Sequence, residues 1–165
     1  MRNSSVSYLR NFIFGVEDSL VSTVGLLSGI AISNVSRETI FLTGVILIFV
    51  EAFSMAAGSF MSEYSTHGFT TRNETPTKSN FISGIIMFFS YFISGFIPLF
   101  PYIILPVDSA LNISIALSVL TLFILGIIGA KISNINLIKN GIRMAVVGGV
   151  AIGVGMLASA IISNL

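Results

Sequence analysis

A chain of 165 residues that is 54% hydrophobic and only 9% charged, with a mean hydropathy of +0.97, is no soluble domain, since those carry about 25% charged residues. Its formal net charge of +1, without a basic stripe interleaved with aromatics, excludes nucleic acid as a partner. The absence of cysteine excludes disulfides, haem attachment and thiolate metal sites, and a single histidine leaves oxygen and thioether groups as the ligands for any metal.

The expected fold is all-α, an integral membrane protein with five transmembrane helices in one domain, residues 1–165. After a short polar start, an apolar run over residues 12–33 lacks a cleavage site and reads as a retained span. A polar turn at 34–38 leads into a second span, 39–61. Residues 63–80, rich in Thr, Asn and Ser and containing Pro76, read as a loop. A third span over 81–105 ends in Pro98, Pro101 and Pro106, and the fourth and fifth cover 110–130 and 141–162. Each has roughly 20 or more residues, enough to cross a hydrocarbon core of about 30 Å. With a cytoplasmic N-terminus, Arg2, Arg10, Arg72, Lys78, Lys131, Lys139 and Arg143 fall inside and only Arg37 outside, as the positive-inside rule requires. The C-terminus is then extracytoplasmic.

The charged groups within this lipid-like chain carry the chemistry. An ionised acid at mid-membrane depth costs on the order of 2.5 to 3.5 kcal/mol, so it is retained where it meets a partner, a cavity or a transported ion. Asp18 lies roughly 9 Å into the first span by helical rise, Met55 roughly 12 Å into the second, and Glu51 one turn deeper at roughly 18 Å. Gly15, Asp18, Ser22, Gly25 and Gly29 share one helix face; Gly44, Ile48, Glu51, Met55, Gly58 and Ser62 share another. Glycines let membrane helices approach closely, so these acids are expected to face protein. Two carboxylates and a thioether suit a divalent first-row ion. The carboxylates can also take up protons when the metal leaves.

Other groups are weaker candidates. Glu17 points about 100° away from Asp18, toward another helix or a vestibule, and Glu63 and His67 sit at the membrane edge. Asp108 is explained by turn chemistry beside Pro106. Pro98 and Pro101 free carbonyls, giving a bend or the wall of an outer vestibule. Gly149 and Gly153 form a GxxxG spacing whose partner is either within the chain or in a second copy. The alternative to transport is a scaffold or assembly protein whose intramembrane acids are only packing groups. Neither a Ser/His pairing, an H-E-x-x-H motif nor a nucleotide-binding loop is present to suggest an enzyme.

Four blocks resemble the vacuolar iron transporter family: F-G-V-E-D-S-L-V-S-T-V-G-L-L-S-G from Phe14 to Gly29, E-A-F-S-M-A-A-G from Glu51 to Gly58, I-P-L-F-P-Y from Ile97 to Tyr102, and L-G-I-I-G-A-K followed by the glycine-rich last span. The resemblance implies a homodimer with a translocation path at the subunit interface, lined by Asp18 and Met55. It also implies exchange of ferrous iron, sometimes manganese, for protons, moving metal out of the cytosol, with no permanently bound cofactor. Ser19 stands where the family motif has Gly, and Ser59 where many members have Glu; Glu63 or Glu17 are the substitutes for that lost ligand. Only residues 63–80 occupy the place of the vacuolar members' Glu-rich metal-collecting domain, so the chain resembles a minimal form. A small chain with no targeting extension points to a prokaryotic plasma membrane.

Overall fold

In a bilayer every backbone N–H and C=O must be paired within the protein, and an apolar run achieves this alone only as a helix. The computed structural model, which describes residues 2–33, 35–72 and 75–163, follows that rule. Its elements are α1 (Arg2–Ile32), α2 (Arg37–Thr71), α3 (Lys78–Leu99), the single turn α4 (Pro101–Ile104), α5 (Val107–Ser133) and α6 (Leu137–Ser163). With α3 and α4 taken together, five helical segments are long and apolar enough to cross a membrane. No strand occurs among the described residues.

Residues 63–80 are not the expected loop. Helix α2 continues through Glu63 and His67 to Thr71, and only residues 72–77 separate it from α3. Asn73 and Glu74 in that connection, and Asn34 in the first turn, lie outside the described residues. The polar composition misleads because its hydroxyls pair inside the helix: Thr66 donates to the Ser62 carbonyl at 2.9 Å, Thr70 to that of Thr66 at 2.9 Å and Thr71 to that of His67 at 2.7 Å. The helix stops at Arg72, whose φ of 54° is left-handed and whose N–H returns to the Gly68 carbonyl. At the other end Ser36 caps α2 by accepting from the Thr39 N–H.

Helix α1 is the hub, packed against α2 and α3 on one side and α5 and α6 on the other. One core cluster joins Leu27, Ile40, Ile48, Leu99 and Tyr102 across α1 to α4; a second joins Leu20, Val24, Leu122 and Ile152 across α1, α5 and α6. Aromatic edges clamp α2 to α3, with Phe49 on Phe92 and Phe53 on Phe88, both with ring centroids 5.0 Å apart. Such pairs add about 0.5–1.5 kcal/mol each beyond burial. The outer faces of α2 and α6 expose Phe49, Val50, Phe53, Val150, Val154 and Leu157, as a lipid-facing surface does.

The proline break between α3 and α4 is closed by protein. Ser114 of α5 donates to the Pro98 carbonyl at 2.7 Å, and both residues are buried. A serine hydroxyl thus takes the place of a lost backbone donor, the re-satisfaction that a proline within a span requires.

Candidate functional site

The level of each acid follows from where α1 and α2 touch. Near one end Ser7 and Arg10 both donate to the Glu63 carboxylate. Near the other, a Cβ added at Gly44 would meet Leu27 Cδ2 at 3.0 Å. In this antiparallel pair the residue numbers at these contacts sum to 70–73, so Asp18 lies level with residues 52–55, between Glu51 and Met55. Asp18 and Glu51, both half-buried, accordingly lie in each other's electrostatic field. Met55 is about one turn nearer the Glu63 end. The depth count, which paired Asp18 with Met55 and set Glu51 deeper, was offset because it began at Phe12 on one helix and Glu63 on the other. Glu63 is in fact level with residues 7–10, two to five residues earlier, a shift of about 3–7.5 Å.

Tyr91 of α3 completes the surroundings of the two acids, and sequence reasoning missed it. Its side chain is fully buried, its hydroxyl is 2.7 Å from Ser22 Oγ, and it feels the charges of both Asp18 and Glu51. Ser19 anchors the same residue by donating to the Tyr91 carbonyl at 2.7 Å. The signal available was a small and polar row on α3, Ser83, Gly84, Ser90, Ser94 and Gly95, which marks a face turned toward other helices.

The glycine rows separate in space. Gly15 abuts α3, where a Cβ would meet Ser90 Cβ at 2.9 Å, whereas Gly29 abuts α6, where it would meet Ser159 Oγ at 2.6 Å. The backbone of Gly25 takes the close approach of Gly155. Above Asp18, Ser22, Gly25 and Gly29 therefore floor a groove of about 420 Å³ shared with Gly155 and Ser159 of α6. An added Cβ at Gly58, Gly149 or Gly153 would meet nothing within 4 Å, so these three are not close-packing positions within this chain.

The accessory candidates go different ways. Glu17 opens into a separate cleft with Asn140, Arg143 and Met144, away from Glu51. Glu63 is ion-paired with Arg10 and bonded to Ser7, so its carboxylate holds α2 to α1. Ser59 is buried, and its hydroxyl has no hydrogen-bond partner among the described residues. The same helix registers put Asn11 and Ser83, each buried with an unpartnered polar atom, at its level in the α1–α2–α3 interior. By helical spacing Ser59 stands one turn beyond Met55 on the same side of α2.

Chemically, two carboxylates in mutual view repel when both are ionised, and a bound cation or proton relieves that repulsion. A thioether one turn along adds a soft ligand. Among the described residues no group of three His, Cys, Asp or Glu side chains assembles, so one chain brings the two acids and the methionine without a third such ligand.

No curated protein matches the chain. The sequence profile of the VIT family matches residues 9–74 and 64–160, which together take in all the helices packed around α1 and both acids of the pair. The chain therefore belongs to the VIT family, the vacuolar iron transporter family, and is a membrane metal-ion transporter at the level that family defines.

Proposed function

We propose that the protein carries ferrous iron or manganese across the membrane in exchange for protons, exporting metal from the cytosol. The observation that carries this reading is the placement of Asp18 and Glu51 in each other's field, with Met55 on the next turn of the same α2 face. Asp18 and Glu51 supply hard oxygen ligands and Met55 a softer one that favours ferrous iron. When metal leaves, protons take its place on the carboxylates. Ser22 and the α1–α6 groove continue the path beyond the acids, whereas Glu17 lies in the separate cleft. The half-exposure of the acids and the open α6 glycines Gly149 and Gly153 support a homodimer in which a second copy completes the site. The basic residues gathered at the α1 N-terminal end support a cytoplasmic N-terminus, in a prokaryotic plasma membrane.

The test is metal flux into proteoliposomes with iron, manganese, cobalt and zinc in competition. Asp18→Ala and Met55→Ala should each abolish flux in folded protein, and undiminished flux in both overturns the assignment. Metal movement without any change of lumenal pH overturns proton coupling alone.

A further inference from the structure

A second cleft, apart from the acid pair, lies between α1, α5 and α6. It encloses about 370 Å³, with Ile13, Leu125 and Val147 as apolar walls and Glu17, Asn140 and Arg143 as its polar groups. An adjoining hollow of about 200 Å³ shares Asn140 and Arg143 with it and adds Lys139. The cleft is set by a pinch between two backbones. A Cβ at Gly126 of α5 would meet the Asn140 carbonyl oxygen and Gly141 Cα of α6 at 2.8 Å, and Asn140 Nδ2 donates to the Gly126 carbonyl at 2.7 Å. The α1 side is held by Ile13, whose Cδ1 lies 3.3 Å from a Cβ built at Gly129.

Charge tells what this cleft accepts. Arg143 lies about six residues inside the α6 span, roughly 9 Å from its start. It is exposed, as is Lys139, and neither has an ion-pair partner among the described residues. A cation at that depth on a membrane helix is costly without a counter-anion, and its long side chain reaches toward the headgroup layer. Glu17 lines the same cleft but forms no ion pair with Arg143; the contacts of Gly148 with Val21 and Gly155 with Gly25 set it between one residue and one turn deeper. Beyond the rim the walls are apolar and continue onto exposed Ile135, Ile138 and Val146, a surface for acyl chains.

We propose that this cleft binds an anionic phospholipid, with the phosphate between Arg143 and Lys139 and an acyl chain along Ile13, Leu125 and Val147. Basic pockets between membrane helices at the headgroup level recognise phosphate-bearing lipids in this way. The site is distinct from the metal path and does not depend on which metal moves.

The experiment is native mass spectrometry of the full chain, released from detergent after equilibration with phosphatidylglycerol or with phosphatidylcholine of the same acyl chains. Wild-type protein should retain phosphatidylglycerol preferentially. Lys139→Gln and Arg143→Gln should each lower that preference about fivefold, Arg143→Lys should keep it, and Lys78→Gln, at the start of α3 outside the cleft, should leave it intact. Equal retention of the two lipids by wild type, or an unchanged preference in Lys139→Gln, overturns the proposal even if Arg143→Gln fails to fold. Complete displacement of the lipid by millimolar inorganic phosphate would assign a small-anion site and likewise overturn it.

Discussion

Asp18 lies within about one to two residues of the level of Glu51 across the α1–α2 contact, a register fixed from both ends by the Ser7–Glu63 hydrogen bond and the packing of Leu27 on Gly44. Two half-buried carboxylates so placed oppose each other electrostatically until a cation or proton intervenes. Neutralising one of them should therefore remove transport without loosening the fold. Glu51→Gln is expected to abolish flux while leaving the melting temperature of the detergent-solubilised, metal-free protein unchanged or higher. If the acids were packing groups, the same variant would instead melt lower.

The partly buried hydrogen bond between Tyr91 and Ser22 joins α3 to α1 behind the acids. Tyr91→Phe and Ser22→Ala should each destabilise the protein by about 0.5–1.5 kcal/mol. Because both changes remove one bond, the double variant should cost clearly less than their sum in a double-mutant cycle read by thermal melting. Additive losses would show that the two hydroxyls act separately.

Ser59 offers the opposite sign. Its buried hydroxyl has no partner among the described residues, so Ser59→Ala discards a polar group at little loss of packing. The expected result is unchanged or increased stability, by up to about 1 kcal/mol, with metal flux retained. A large loss of flux would return Ser59 to the transport path.

Glycines that look alike in sequence should respond differently. At Gly29 a side chain meets Ser159 at 2.6 Å, so Gly29→Val should cost about 1–3 kcal/mol by overpacking the α1–α6 contact. Gly153→Val meets nothing within the chain and should leave the monomer's melting temperature nearly unchanged. Its effect is expected in the oligomeric state, read by light scattering in detergent, if the open α6 face meets a second copy.

Much of the architecture was legible because hydropathy and helical period are local properties. The five apolar runs and the polar rows through Asp18 and Glu51 follow from neighbours within a few turns. Residues 63–80 were misread for the converse reason. Their Ser and Thr composition suits a loop, but the hydroxyls satisfied themselves on carbonyls one turn back, which composition does not reveal. Tyr91 was missed because an aromatic in an apolar run carries no mark of what its hydroxyl meets.

The sequence by itself determined a helical membrane protein of the metal-transporting kind, with acids on glycine-lined faces, since lipid leaves a chain few ways to pair its backbone and fewer reasons to keep a carboxylate. Only the tertiary structure decided which groups share a level and a face. Register between antiparallel helices is set by side-chain contacts such as Arg10 and Ser7 on Glu63, not by where the apolar runs begin. Those contacts set Asp18 between the levels of Glu51 and Met55, turned Ser59 into the interior and gave Glu17 a cleft of its own.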